Sequence, residues 1–199
     1  MLRPRSAEHY AITSRSFEPV EVLGSGKSAS AFLARKGPLV RVFRITKAPP
    51  FDVDRAHFED VRTSLRHSHA LAKHALRVRV PRVVETFVVE NRRGKAIAVA
   101  SIMEFVAGLS LQDQLNGPGL LPSHVDDLKR LFRMLWTQRT SHGDAAASNL
   151  LYDAARRRYV CIDTDSVRQH PTPADAKARD LPTIRSSMPP RLAAELARV

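Results

Sequence analysis

Between Glu18 and Ile45 three runs of branched and aromatic residues follow one another with connections too short for anything but turns. Residues 19–23 are the first β-type run, Gly24-Ser25-Gly26 interrupts it, and residues 29–34 resume it. Lys36-Gly37-Pro38 reads as a turn. Residues 39–45 (Leu-Val-Arg-Val-Phe-Arg-Ile) are a third strand. Parallel neighbours need a crossover of about a dozen residues or more, so this stretch predicts an antiparallel meander. Pro49 and Pro50 then break the chain, and Asp52 or Asp54 is placed to cap a helix carrying Phe58, Val61, Leu65 and Leu71. Residues 83–90 and 96–105 read as strands around the turn Asn91-Arg92-Arg93-Gly94. The pattern up to there is β-β-β-α-β-β.

Further along, Gly117-Pro118-Gly119 reads as a linker and Ser123 as an N-cap. Val125, Leu128, Leu131, Phe132, Leu135 and Trp136 share one helical face. Tyr152 and residues 159–162 suggest two short strands around the turn 154–158. From Arg168 the chain is Pro-rich, basic and polar, with one helical stretch near 192–199. Residues 1–17 are polar and irregular, a flexible leader. The expected organisation is an α+β domain with leader 1–17, a sheet-bearing lobe 18–106 and a short, mostly helical lobe 107–199.

The 199 residues have room for one domain or two small lobes, and 43% hydrophobic content supports a core. The net charge of +12 favours an anionic partner: nucleotide, nucleic acid, phospholipid surface or acidic protein. A single cysteine, Cys161, excludes an intrachain disulfide framework and makes a reducing cytoplasm the expected compartment. No apolar run approaches the roughly 20 residues of a membrane span. Residues 1–17 lack the continuous apolar stretch of a Sec signal peptide. Export by a specialised secretion system leaves no such mark and stays open.

The segment around Gly24 invites a P-loop reading through Gly26-Lys27-Ser28, but Glu21 stands where the first glycine is required, and a strand rather than a helix follows. Gly24, Ser25, Gly26, Lys27 and Ser28 fit better as a flap whose backbone amides cover phosphates; an ordinary hairpin is the plainer alternative. On the next strand Arg41 and Arg44 point to opposite faces, so at most one meets the phosphates. By distance from Gly24, Arg41 is the expected cation, with Arg44 second and Glu59 as the carboxylate partner. Glu85 and Glu104 are poorer partners because they lie on strands.

The most specific signal is His142-Gly143-Asp144, then Asn149, then Asp163 at the end of the apolar strand 159–162. An Asp, an Asn five residues later and a second Asp after a strand make a metal–phosphate constellation. Asp144 would take or orient the acceptor hydroxyl proton, while Asn149 and Asp163 would present hard oxygens to Mg²⁺. Phosphoryl transfer needs mainly positioning and charge neutralisation, so such a small set is sufficient.

These residues resemble the protein-kinase-like phosphotransferases. His142-Gly143-Asp144 with Asn149 is similar to the catalytic loop in the His-Gly-Asp form of the aminoglycoside, Kdo and lipopolysaccharide kinases. Ile162-Asp163-Thr164-Asp165 stands where the Asp-Phe-Gly segment would be. Residues 102–111 resemble the hinge strand and linker, which implies adenine contacts by the backbone of Glu104, Phe105 and Val106. Arg179-Asp180-Leu181 resembles a helix motif of the lipopolysaccharide kinases. The resemblance implies a two-lobe fold with a five-stranded antiparallel sheet plus one helix and a truncated helical second lobe. It also implies ATP and Mg²⁺ as cofactors. The chain departs from the pattern in carrying Arg for the usual strand Lys, which forks where Lys is a point charge. Ala145-Ala146-Ala147 replaces the usual Leu-His/Lys-Pro, and little chain follows Asp163. The shortness is similar to that of small bacterial effector kinases.

Other features read more plainly. His67, His69 and His74 lack an accompanying acid or cysteine and read as solvated helix-end residues rather than a metal site. Arg77, Arg79 and Arg82 alternate with Val78 and Val80, but no aromatic interleaves to stack bases, so no specific nucleic acid is expected. Trp136 and Phe132 read as core. Three functions remain: a serine/threonine-type protein kinase, ranked first; a small-molecule or lipopolysaccharide-core sugar kinase, with peripheral contact to an anionic membrane; and a pseudokinase binding module. The chain is expected to act as a monomer on a protein or glycolipid acceptor.

Overall fold

The computed structural model describes residues 6–26, 28–47, 49, 53–77, 79–117 and 119–199. Residues 1–5, Lys27, Pro50, Asp52, Val78 and Pro118, all singled out above, lie outside the described residues. The chain divides into two compact units. One comprises residues 1–66 and 82–105, the other 67–81 and 106–199.

In the first unit, helix α1 (Ala7–Thr13) precedes strands β1 (Glu18–Ser25), β2 (Ala29–Lys36) and β3 (Leu39–Thr46). Helix α2 (Arg55–Leu76) follows, then β4 (Val83–Glu90) and β5 (Ala96–Glu104). The sheet order is β1-β2-β3-β5-β4, antiparallel throughout, as the short turns require. Of the two acids placed to cap α2, Asp54 accepts the His57 amide at 3.0 Å. The sheet is covered on both faces. Phe43, Ile45, Phe87, Val89, Ala98, Ala100 and Ile102 turn toward Ala11 and Ile12 of α1. Val88 and Val99 turn the other way, toward Phe58, Val61 and Leu65 of α2.

Residues 6–17 are therefore not part of a loose leader. Ser6 caps α1 by accepting the His9 amide, and Ala11 and Ile12 are fully buried. Phe17 packs edge-on against Phe43 at 5.1 Å between centroids. Arg15 grips Glu85 with two hydrogen bonds of 3.0 and 2.7 Å, and its guanidinium lies 3.9 Å from the centre of the Phe87 ring. Seven helical residues with two core positions are too short a stretch for periodicity to reveal.

The second unit takes the end of α2 (residues 67–76) and continues with β6 (Leu109–Ser110), α3 (Leu111–Asn116) and α4 (Pro122–Thr137). Then come β7 (Thr140–Ser141), β8 (Leu150–Asp153), β9 (Arg158–Cys161), β10 (Arg168–Gln169), α5 (Pro173–Ser187) and α6 (Pro190–Leu196). Leu128, Leu131, Phe132, Leu135 and Trp136 of α4 form its centre together with Ile184 of α5 and Leu192 and Leu196 of α6. β6, β8 and β9 make one small antiparallel sheet, β7 and β10 another. The first residue of α4 is Pro122 rather than a position after Ser123, and Leu121 occupies the cap without a side-chain bond. The polar stretch after Arg168 is also largely helical. Pro173 and Pro190 open α5 and α6 from positions where the missing N–H has no partner to lose. Thr172 caps α5, accepting the Asp175 amide and donating to its carboxylate. Pro173 and Pro190 thus start helices, and Pro182 lies inside α5 without ending it.

Arg79, one of the three alternating arginines, is buried in a bend. It forms two 2.7 Å hydrogen bonds to Asp127, whose carboxylate also accepts the Tyr159 amide. Its charge is spent inside the second unit and contributes nothing to a surface patch. No helix among the described residues is long and apolar enough to cross a membrane.

Candidate active site

Asp144, Asn149 and Asp163 all belong to the second unit, and backbone bonds hold their segments together. The Asn149 carboxamide nitrogen donates to the Asp144 carbonyl and to its Oδ2, both at 3.0 Å. With the nitrogen turned to two acceptors, Oδ1 of Asn149 is the atom presented elsewhere. The Ile162 amide donates to the Asn149 carbonyl at 2.9 Å, which fixes the residue before Asp163 against the loop. Asp163 itself has φ 55° and ψ 63°. This left-handed conformation is uncommon for a residue with a side chain, though Asp tolerates it better than most, and such strain collects at functional sites.

Beneath the loop stands a carboxylate whose role the sequence did not disclose. Asp180 is fully buried on α5. It accepts the amides of His142 (3.1 Å) and Gly143 (2.8 Å) and the indole N–H of Trp136 (3.0 Å). A buried carboxylate with three donors is well satisfied, and losing any of them leaves a costly orphan. One signal was present: Asp180 lies four residues from both Ala176 and Ile184, the buried stripe of α5. A charge in an apolar stripe demands partners. Trp136, expected as core, stacks on Phe132 at 5.2 Å and also serves this carboxylate. The His142 ring is buried, with Nε2 donating to the Ile162 carbonyl at 3.0 Å. Gly143 has φ 78°, and a Cβ there would fall 2.3 Å from the Ser166 carbonyl oxygen, so no other residue fits.

In the first unit, β1 and β2 form the expected glycine hairpin. The Gly26 amide donates to the Ala29 carbonyl at 2.9 Å, and the Ser25 and Ser30 hydroxyls meet at 3.1 Å. The Ser28 carbonyl accepts the Lys47 amide at 2.8 Å. A Cβ at Gly24 would meet no atom within 4 Å. The sheet register sets Arg41, the expected phosphate cation, apart from the glycine turn. Its row across the sheet runs Pro19, Ala34, Arg41, Glu104, away from the glycine turn, whereas Gly24, Ala31, Arg44, Ser101 and Thr86 form one row. Arg41 also shares the parity of Phe43 and Ile45, the α1 face, while Arg44 stands on the α2 face with Ser101. Glu59 of α2 lies 2.8 Å from Arg62 and 3.8 Å from Arg55, not beside Arg41. Arg41 bonds the Val40 carbonyl.

At the expected hinge, β5 ends at Glu104, whose amide donates to the Arg82 carbonyl at 2.9 Å. Phe105 is exposed, and Val106 begins the second unit's share of the chain. Beyond it a Cβ at Gly108 would lie 2.2 Å from the Tyr152 carbonyl oxygen.

Among the described residues no three His, Cys, Asp or Glu side chains converge on a metal position. The histidines of α2 are no exception. His69 alone is enclosed, its Nδ1 3.4 Å from the Thr164 hydroxyl, and burial followed by the Lys73 charge pushes its pKa down. Asn149 and Asp163, one neutral and one charged oxygen donor, fit a cation that completes its shell with water and phosphate, as Mg²⁺ does. Cys161 is buried in β9. Burial first, then the Asp180 charge, pushes its thiol up, which disfavours the thiolate.

No family model matches the sequence, and no curated protein matches it. Among solved structures the chain is similar to the autoinhibited serine kinase domain of the giant muscle protein titin, with a TM-score of 0.55 and 16% identity. The match covers 79% of this chain and 47% of that one, so the chain spans about half the length of the structure it resembles. The fold is protein-kinase-like: α+β, with a five-stranded antiparallel sheet and six α-helices among the described residues.

Proposed function

We propose that this chain is an ATP-dependent phosphotransferase that moves the γ-phosphate to a hydroxyl. The observation that carries the reading is the bonded sequence Asp144–Asn149–Ile162 within a kinase-like fold. It keeps a proton-accepting carboxylate, a carboxamide oxygen and the segment leading to Asp163 in one register. In this reading Asp144 orients the acceptor hydroxyl and takes its proton. Asn149 and Asp163 hold Mg²⁺, which when bound supplies charge neutralisation for the phosphates. Asp180 and Trp136 hold the loop, so that little reorganisation accompanies transfer. From the first unit, Arg44 replaces Arg41 as the proposed phosphate cation. The glycine hairpin around Gly24, Ser25 and Ser28 is proposed as the flap, its Gly26 amide being already bonded to Ala29, and the backbone of Glu104, Phe105 and Val106 as the adenine edge.

A serine or threonine of a protein is the first acceptor, in keeping with the serine kinase domain that the fold resembles. One observation favours a small-molecule or glycolipid hydroxyl instead. Only residues 164–172, among them the 3-10 turn Thr164–Ser166 and the two residues of β10, separate Asp163 from α5, which leaves little chain to cradle a peptide. Incubation with γ-labelled ATP and Mg²⁺, with a generic protein acceptor or with extracted bacterial glycolipid, tests both. Label on protein supports the first reading, and label on glycolipid alone supports the second. Absence of transfer with retained nucleotide binding would make the chain a pseudokinase.

A further inference from the structure

A groove of about 450 Å³ runs between α4 and α6, lined by Lys129 and Arg133 on one side and Arg191, Ala194, Glu195, Arg198 and Val199 on the other. Four cationic side chains face a single side-chain carboxylate. Glu195 is already engaged: Lys129 donates to it at 2.7 Å, and Arg191 stands 4.0 Å away. The Lys129 hydrogen bond holds its pKa below the ordinary glutamate range. Arg133 and Arg198 are exposed, and Arg130 extends the basic edge along α4, with Asp126 the acid one turn before it. None of these residues takes part in the proposed phosphotransfer.

The groove's lining decides among anionic partners. No aromatic side chain is available to stack a base. No deep apolar pocket is present to hold the buried anchor on which a peptide interface depends. What remains reads charge alone. Long arginine and lysine side chains on adjacent helices suit a planar array of phosphates, because each head can find a partner without a fixed geometry.

We propose that the α4–α6 surface is an electrostatic docking site for anionic phospholipid bilayers. The proposal does not depend on the phosphotransfer reading. A cation near an anionic leaflet contributes about fivefold in partition, falling off within a Debye length as salt rises.

The full chain is sedimented with vesicles of phosphatidylcholine alone and of phosphatidylcholine with phosphatidylglycerol. It is expected to partition to the anionic vesicles only, and less strongly at high salt. The double variant Arg133→Glu/Arg198→Glu is expected to lose at least about 25-fold in partition. The control Arg92→Glu/Arg93→Glu changes net charge equally on the β4–β5 turn and is expected to lose less than about threefold. Arg133→Gln/Arg198→Gln, with thermal melts for all variants, keeps the test valid should the reversed charges disturb α6. Equal losses in test and control would mean that net charge alone drives binding and would overturn the site. So would equal binding to neutral vesicles, or a homopolymeric RNA that binds through the same two arginines more tightly than the vesicles do.

Discussion

Changing Asp144 to Asn preserves size and polarity but removes the proposed proton acceptor. The Asn149 bond to the main-chain carbonyl survives the change, so the loop should hold. Transfer is expected to fall about 10²–10⁴-fold with ATP affinity near that of the unaltered chain, measured by labelled-phosphate assay and nucleotide titration. A parallel loss of affinity would move Asp144 into the metal shell. The two strand arginines give a second residue-level test. Arg44→Ala is expected to weaken ATP binding more than Arg41→Ala, because only Arg44 shares the glycine row and the α2 face. Equal affinities in titration would remove both from phosphate binding. The sequence did establish that the two point oppositely, since a strand's period is two. It could not say which faces the helix, because that depends on how five strands register. Counting residues from Gly24 along the chain misjudged a distance that runs across the sheet.

At the scale of elements, α1 is held by a buried Ile12 and by the Arg15–Glu85 pair. Ile12→Ala is expected to cost about 2–5 kcal/mol in denaturant unfolding; a change within error would mean that α1 is not docked. Arg15, chiefly through its hydrogen bond, lowers the Glu85 pKa. A carboxylate depressed on folding contributes stability above its unfolded pKa and loses it as pH falls through the folded value. Protection of α1 amides from exchange should therefore decline below the ordinary glutamate range, and Glu85→Gln should flatten that decline. Both groups are more than a third exposed, so the effect is modest. The sheet strands and α4 were legible because several residues repeat at one period between glycine or proline breaks. α1 and α5 were not: one is too short, and the other carries proline at its start and again at Pro182. The order Asp144, Asn149, Asp163 was legible because its chemistry is local in sequence. Asp180 was not recognised as a loop support because its donors lie 37, 38 and 44 positions away.

Across the whole molecule the proposed residue set is divided between two units, and the second is organised around Asp180. Asp180→Asn would bring an amide N–H toward donors and is expected to cost on the order of 3 kcal/mol. Transfer should fall more than ATP affinity when assayed well below the melting temperature, because the residue holds the loop rather than the nucleotide. Loss of stability with unchanged transfer would make its role purely structural. The placement of this carboxylate also bears on synthesis. A ribosome that has reached Asp163 has already made every residue proposed for catalysis, yet the amides of His142 and Gly143 still lack their acceptor. Only after α5 has been translated and has cleared the exit tunnel can the loop be secured. In the proposed reading, a nascent chain gains a secured loop only after α5 has been made, whatever else of the site is already in place.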